Sequence, residues 1–248
     1  NLQRAVWFRL AMECSGRPPN LKLPLAAIVA LVVSACSPNS PGRDDPFTAT
    51  GEVIALGGGD RGVINACITC HGLAGEGDGA MTPRLAGLSQ GYLLKQMQDY
   101  ADGRRADAVM GPVARGLSME ARVRVADYYA ALPAPQTPIS NSVVERSASA
   151  AQLYHQGAPE RGLPACAACH GEAGEGVGPG NPPVHGQPAA YLAEQLVRWR
   201  DGRRQNDSGR TMLLVSQRLA PAEMADLGAY MTVLAGSPGD RETAPSPP

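Results

Sequence analysis

The chain has 248 residues, of which 44% are hydrophobic but only 4% are aromatic, and it contains 29 glycines and 22 prolines. Its 22 basic and 23 acidic side chains give a formal net charge of −1, and no basic stripe indicates a nucleic-acid partner. The length allows one or two domains. Because aromatic side chains are scarce, we expect a non-protein group to complete the hydrophobic cores.

The N-terminal segment has the pattern of an export signal. Leu23–Ala35 is a 13-residue, almost wholly apolar run that follows four basic side chains. It is shorter than the roughly 20 residues that a transmembrane helix needs. The run ends in Val-Ser-Ala-Cys, which resembles a bacterial lipobox and implies cleavage before Cys36 and lipidation of that cysteine. Ordinary signal-peptidase cleavage, which would give a soluble periplasmic protein, is the alternative.

Two units of the chain match each other almost throughout. The offset is 99 residues up to the Asp-Gly-Arg-Arg turns at 102–105 and 201–204, and 102 residues beyond an insertion near 206–210. A constant offset indicates a duplicated domain. We expect a signal peptide at 1–35, a tether at 36–47, a first half at 48–134, a linker at 135–147, a second half at 148–236 and a disordered tail at 237–248.

Each half shows three stretches with helical periodicity and no alternating strand, so the predicted fold is all-α. The first stretch is clearest at Ala148–Gln156. The second runs from Ser89 to Asp102, or from Pro188 to Asp201, and ends at a glycine. The third follows Ser118 as its N-cap. The predicted apolar faces in the first half are Tyr92, Leu93, Gln96, Met97 and Tyr100 on the second helix, and Leu117, Ala121, Val125, Tyr128 and Leu132 on the third.

A Cys-x-x-Cys-His pentad occurs once in each half. This spacing is typical of covalent attachment of c-type haem. Two thiols three residues apart on one turn of backbone can each add to one haem vinyl group, and the histidine that follows then lies where its imidazole can ligate the iron. The sequence therefore predicts two haem c groups, held by Cys67, Cys70 and His71 and by Cys166, Cys169 and His170.

Two other uses of paired cysteines fit less well. Zinc ribbons place their Cys-x-x-Cys pairs about 15–20 residues apart, whereas these pairs lie 99 positions apart. A thioredoxin-like redox pair needs a βαβ pattern nearby, and this chain shows helices instead. Neither use explains why histidine follows both pairs.

The second axial ligand of each iron is predicted to be methionine. The first half contains no histidine except His71, so a second histidine there would have to come from the other half. Four methionines lie in helical patterns, where core packing is the simpler role: Met97, Met119, Met224 and Met231. Met110 and Met212 match each other, lie in irregular segments between predicted helices, and so can present their sulfur from a loop. We predict the axial pairs His71/Met110 and His170/Met212.

The remaining polar candidates have less specific roles. We expect His155 to lie on the surface and His185 to be structural. Four matched arginines either pair with haem propionates or form a solvated face, and the sequence leaves both alternatives open: Arg104, Arg105, Arg203 and Arg204.

Together these features resemble the class I c-type cytochromes, and the arrangement of two pentads resembles the cytochrome c4 family. The shared features include the Pro-x-Leu-Ala-Gly segment at 83–87, the Tyr-Leu-x-x-Gln helix starts and the methionines ahead of the final helices. The resemblance implies two tandem cytochrome c-like domains whose haems are close enough to exchange electrons. It also implies that the carbonyls of Pro83 and Pro182 accept a hydrogen bond from the proximal histidines.

The predicted function is electron transfer and not catalysis, because the axial ligands leave the iron no vacancy for a substrate. The expected donor is a quinol-oxidising complex or a periplasmic dehydrogenase, and the expected acceptor is a terminal oxidase. A lipid anchor would hold the protein on the periplasmic side of a bacterial membrane. The alternatives are a dihaem redox enzyme, either a peroxidase or a thiosulfate-oxidising cytochrome, and a cytochrome subunit of a membrane-bound dehydrogenase.

Overall fold

Helices make up the regular structure of the residues that the computed structural model describes, which are 50–135, 148–178 and 180–234. In these ranges the β-type pairings are isolated bridges, and no strand forms. The all-α prediction is therefore confirmed. The predicted signal peptide, Cys36, the tether, most of the linker and the tail lie outside the described residues. Within those residues, no helix combines the length and the apolarity needed to cross a bilayer.

The first half contains five helices in its described residues: α1 (Gly51–Gly57), α2 (Ile68–His71), α3 (Gln90–Ala101), α4 (Met110–Arg115) and α5 (Met119–Ala131). Local capping explains where the longer ones begin. Ser118 Oγ accepts the N–H of Ala121 at 3.1 Å, which confirms the predicted N-cap of α5. Ser89 caps α3 in the same way, and Gly103 takes φ +77° just beyond its C-terminal end.

The second half repeats this order with α6 (Ala148–Gln156), α7 (Ala167–His170), α8 (Ala189–Arg200), α9 (Thr211–Ser216) and α10 (Pro221–Thr232). In the first half α1 and α3 each pack on α5, and in the second half α6 and α8 each pack on α10. The crossing of α8 and α10 is close at Gly228, where an added Cβ would lie 2.5 Å from the carbonyl oxygen of Ala189. Glycine is therefore needed at this crossing.

The buried faces only partly follow the predicted periodicity. On α3, Leu93 and Gln96 are buried as predicted, and Asp99 is buried as well. On α5, Val125 is buried, but Tyr129 is the buried tyrosine and the predicted Tyr128 is only half-buried. The difference arises because α5 faces both α1 and α3 and therefore buries a wider arc than a single-sided stripe.

Aromatic side chains fill the two cores from opposite helices. Tyr154 on α6 is fully buried, and its counterpart at an offset of 99 is Ala55 on α1. Conversely, Tyr129 on α5 corresponds to Met231 on α10 at an offset of 102. The two cores therefore take their fully buried tyrosine from different helices.

Candidate haem sites

Each pentad folds as a single helical turn. Cys67 and Cys166 are the N-cap residues of α2 and α7, so both cysteines and the histidine of each pentad lie on one turn. The first cysteine of each pair is half-buried, the second is exposed, and all four are outside any disulfide. Burial raises the pKa of the Cys67 thiol, and it raises that of Cys166 to about 11, so these thiols are protonated at neutral pH.

The two histidines are oriented by the same contact. Nδ1 of His71 donates to the carbonyl oxygen of Pro83 at 2.9 Å, and Nδ1 of His170 donates to that of Pro182 at 2.9 Å. A carbonyl can only accept, so the proton sits on Nδ1 and the lone pair of Nε2 is left for a metal. Burial lowers the pKa of both histidines, which keeps each imidazole in the neutral form that binds iron.

The zinc and thioredoxin alternatives find no support in the described residues. No group of three or more histidine, cysteine, aspartate or glutamate side chains converges there on a common point. The pentads also lack a neighbouring sheet, which a thioredoxin-like fold requires. Each pentad therefore stands as a separate site in its own half.

The prediction that Met110 and Met212 lie in irregular segments is wrong. Met110 is the first residue of α4, and Met212 is the second residue of α9. An aspartate side chain satisfies the N–H of each methionine: Asp107 Oδ1 accepts that of Met110 at 2.9 Å, and Asp207 Oδ2 accepts that of Met212 at 2.7 Å. The signal in the sequence was an aspartate three to five residues before each methionine.

The two methionine segments differ in their approach to the helix. In the second half, Gly209 and Arg210 take φ values of +65° and +57°, and Arg210 is the one non-glycine residue with positive φ among those described. The extra residues near 206–210 cause this turn, which has no counterpart before Met110. Both methionines are half-buried, and their role as iron ligands stays a prediction.

The remaining histidines have protein partners. His155 lies at the surface with its side chain 33% exposed, and its ring nitrogens lie 2.7 Å from Glu172 Oε2 and 2.8 Å from the Tyr230 hydroxyl. The helix α6 turns this side chain toward α10, which sequence periodicity alone did not indicate. His185 belongs to the loop after Pro182, and its carbonyl accepts from Arg84 Nη2 at 2.9 Å.

Two of the four matched arginines are buried between the halves. Arg105 and Arg204 are each 4% exposed, so the solvated-face alternative is wrong for them. Arg105 donates to Gln96 Oε1 at 2.8 Å and across the interface to Gln195 Oε1 at 2.9 Å. Arg204 donates to Gln195 Oε1 at 2.8 Å and across to Gln96 Oε1 at 3.2 Å. Arg104 and Arg203 are exposed and pair with carboxylates.

The buried arginines bring two positive charges into one polar cluster. Their hydrogen-bond partners are neutral amide and hydroxyl oxygens, which include the Tyr191 hydroxyl at 3.0 Å from Arg105. Burial and the neighbouring charge of Arg105 lower the pKa of Arg204. A buried cation is stable when an anion lies nearby. The acidic side groups of a haem fit this requirement, so the described residues suit the cofactor that the pentads imply.

Two buried tyrosines beside the pentads were missed by sequence reasoning. The Tyr154 hydroxyl donates to the carbonyl of Gly171, directly after the second pentad, at 2.7 Å. The Tyr129 hydroxyl lies beside the Cys67 sulfur, and it has no nitrogen or oxygen partner among the described residues. Because the two tyrosines occupy unmatched positions, the repeat did not reveal that both approach a haem-binding segment.

Comparison with known proteins places the chain in a family. The family model for cytochrome c matches residues 59–128 and 147–235. A relative from Stutzerimonas stutzeri (strain A1501), named thiosulfate dehydrogenase electron acceptor, is 37% identical over 221 residues, covering 89% of this chain and 96% of the relative.

Two solved structures are also similar to this chain. Reduced cytochrome c4 from Pseudomonas stutzeri is similar with 30% identity and a TM-score of 0.62, covering 68% of this chain and 93% of that one. A thiosulfate dehydrogenase from Marichromatium purpuratum is similar with 37% identity and a TM-score of 0.66, covering 80% of this chain and 42% of that one. The repeated pentads, their oriented histidines and these likenesses lead to one conclusion: the chain belongs to the cytochrome c family and resembles the class I dihaem members of the cytochrome c4 type.

Proposed function

We propose that the protein carries single electrons through two haem c groups, one in each half. The observation that carries this proposal is the repeated histidine contact, in which Nδ1 of His71 and of His170 each donates to a proline carbonyl at 2.9 Å. When bound, each haem would supply a one-electron ferric/ferrous couple. Cys67, Cys70, Cys166 and Cys169 would hold the two groups covalently.

Methionine ligation favours the carrier function over an enzyme. Met110 and Met212 would each fill the axial position opposite a histidine, which leaves no site for a substrate and raises the reduction potential relative to bis-histidine ligation. Both methionines lie in the first turn of their helix, α4 or α9, and an aspartate carboxylate accepts the N–H of each. Little rearrangement is then needed between the two oxidation states.

A thiosulfate dehydrogenase is the electron donor that we propose. The support is the Stutzerimonas stutzeri relative, which is named as an electron acceptor of that enzyme. The match to this relative covers 89% of this chain. This narrows the predicted periplasmic dehydrogenase to one reaction class. The oxidation of two thiosulfate ions to tetrathionate releases two electrons, and two haems could take up one electron each. A terminal oxidase would be the next acceptor.

An enzyme of the thiosulfate-oxidising class is the second candidate. The observation that favours it is the similarity to the Marichromatium purpuratum thiosulfate dehydrogenase, although this chain spans only 42% of that protein. An enzyme would need one iron with an open or unusual ligand. The carrier and the enzyme therefore differ in whether both irons are closed by methionine.

The experiment uses the full chain matured with haem in a bacterial periplasm. We expect a mass with two added haems and, in the ferric form, a weak far-red band from methionine bound to iron. Met110→Ala and Met212→Ala should each reduce that band, and the double variant should abolish it. Ferric protein should accept electrons from a thiosulfate dehydrogenase but should not oxidise thiosulfate alone. High-spin iron that binds cyanide rapidly, with thiosulfate oxidation by the chain alone, would establish the enzyme instead.

We also propose that the mature protein is lipid-anchored through Cys36 on the periplasmic side of a bacterial membrane. The Val-Ser-Ala-Cys pattern at 33–36, where the apolar run Leu23–Ala35 ends, supports this proposal. Cys36→Ala should release the protein into the soluble periplasmic fraction, and mass spectrometry of the native N-terminal peptide should show a lipid-modified cysteine. An unmodified N-terminal peptide would instead favour ordinary signal-peptidase cleavage.

A further inference from the structure

The loop that orients the first proximal histidine is held by the second half. His71 Nδ1 donates to the carbonyl of Pro83, and the N–H of the same peptide unit, on Arg84, donates to Gln187 Oε1 at 3.0 Å. Gln187 Nε2 in turn donates to the carbonyl of Arg84 at 3.0 Å. Arg84 is 1% exposed and Gln187 is 4% exposed, so water does not compete for these bonds.

The second proximal histidine has no such support. At an offset of 99, the counterpart of Arg84 is Pro183, which has no N–H to donate. The counterpart of Gln187 is Leu88, which has no polar side-chain atom. The contact from His170 Nδ1 to the Pro182 carbonyl has the same length of 2.9 Å, but nothing donates from the far side of that peptide.

A peptide that donates through its N–H becomes a better acceptor at its carbonyl, because hydrogen bonds in a chain polarise one another. The Pro83 carbonyl should therefore draw the Nδ1 proton of His71 more strongly than Pro182 draws that of His170. An imidazole with a weakened N–H bond is a more electron-rich ligand. Such a ligand stabilises ferric iron relative to ferrous iron and lowers the reduction potential.

We propose that Gln187 is a positioning residue for the first haem, although it belongs to the second half. Through the Pro83–Arg84 peptide it strengthens the hydrogen bond of His71 and lowers the potential of the first haem relative to the second. The proposal rests on the haem binding described above. Gln187 would thereby give the two haems different reduction potentials, although the pentads and the proline contacts of the two halves match.

Gln187→Leu tests this directly, because it places at 187 the residue type that the first half has at 88. The probe is the Nδ1 proton resonance of each proximal histidine in the reduced, diamagnetic protein with nitrogen-15-labelled histidine. We expect the His71 resonance to lie downfield of that of His170, to move upfield in Gln187→Leu, and the His170 resonance to stay. Redox titration is followed by assigned haem methyl signals. In Gln187→Leu the first haem should be reduced more easily than in the wild type, by roughly threefold in its equilibrium constant, or about 30 mV for one electron.

Arg84→Met is the matched control. It removes the bonds of the guanidinium to the carbonyls of Ala86 and His185 but keeps the backbone N–H that donates to Gln187 Oε1. The His71 proton resonance should therefore move by less than half of the change seen in Gln187→Leu. Equal movement in both variants, or movement of His170 in Gln187→Leu, would mean that loosened packing is responsible, and this would overturn the proposal. Equal resonances of His71 and His170 in the unmodified protein would overturn it as well.

These outcomes are separate from those that test electron transfer. If the protein lacked haem or methionine ligation, the reduced form would not give the two assigned diamagnetic histidine signals, and the proposed function itself would fail. If both haems are present and low-spin but Gln187→Leu leaves His71 unchanged, the carrier function stands and only the role of Gln187 is refuted.

Discussion

Asp107 in the first half forms an ion pair with Arg198 in the second, with Oδ2 and Nη1 separated by 3.0 Å. Its other carboxylate oxygen accepts the N–H groups of Val109 and Met110. Burial acts to raise the pKa of Asp107, but the hydrogen bonds from Met110, Arg198 and Val109 outweigh it and the pKa is lowered. One side chain therefore joins the start of α4 to the opposite half.

Asp107→Ala should destabilise the holoprotein by about 1–2 kcal/mol, because it removes a helix cap and a partly buried ion pair. Asp107→Asn should recover most of the capping part, since its amide oxygen can still accept from Met110. The measurement is denaturant unfolding followed by the far-red methionine band. A band that persists unchanged in Asp107→Ala up to the wild-type midpoint would contradict this role.

Arg105→Gln should lower the reduction potentials of both haems, because a buried positive charge disfavours the ferric state. A unit charge on the order of 10 Å away at an effective dielectric of ~20 contributes about 1–2 kcal/mol, or about 40–80 mV for one electron. Arg104→Gln is the control, since Arg104 is 61% exposed at its side chain and its charge is screened by solvent. Equal shifts in the two variants would show that burial does not matter here.

Tyr154→Phe should destabilise the second half by about 1–3 kcal/mol, because it leaves the buried carbonyl of Gly171 without its donor. Tyr129→Phe should be close to neutral or slightly stabilising, since the Tyr129 hydroxyl has only the Cys67 sulfur beside it. Thermal and urea unfolding of the two variants measures the difference. The reverse order of stabilities would rule out this assignment of hydrogen bonds.

The ion pair between Arg161 and Glu223 predicts a dependence of stability on pH. The two side chains meet through two contacts, of 2.9 and 3.0 Å, and Glu223 also accepts the N–H of Ala220 at 2.8 Å. The hydrogen bond from Arg161 lowers the pKa of Glu223 below its usual 4.5. The stabilisation is therefore present above pH 4.5 and is lost as the pH falls through the lowered value.

Glu223→Gln tests this dependence by melting temperature. At pH 7 the variant should melt roughly 1–3 °C below the wild type, because the pair is partly exposed and therefore screened by solvent. The gap should close as the pH is lowered below 4. A gap that is constant between pH 7 and pH 3 would mean that the carboxylate charge of Glu223 contributes nothing.

The parts of the fold that depend on local sequence were predictable. The pentads, the Ser89 and Ser118 caps and the glycine after α3 each act over a few residues, so the sequence indicates them without knowledge of the packing. The placement of Met110 at a helix start was missed because the glycine beside it suggested an irregular segment. In fact Asp107 caps a short helix there, and proline is tolerated in a first turn.

The contacts between the halves could not be predicted, because they depend on how two similar domains pack. The counterparts of Arg84 and Gln187 in the repeat are Pro183 and Leu88, which cannot form the same hydrogen bonds. The repeat therefore did not indicate this contact. Arg105 and Arg204 were recognised as candidates, but their sequence context is the same as that of their exposed neighbours Arg104 and Arg203. Only the packing of the two turns against each other separates the buried arginine from the exposed one in each pair.

Gln96 accepts hydrogen bonds from Arg105 in its own half and from Arg204 and Asn206 in the other. If the chain were cut in the linker and the pieces parted, each fragment would expose a guanidinium and an amide that had been satisfied by its neighbour. A fragment that contains one half would therefore be expected to associate with the other fragment, or with another copy of itself. Each half therefore relies on the other to satisfy its buried polar groups, and neither is expected to be stable on its own.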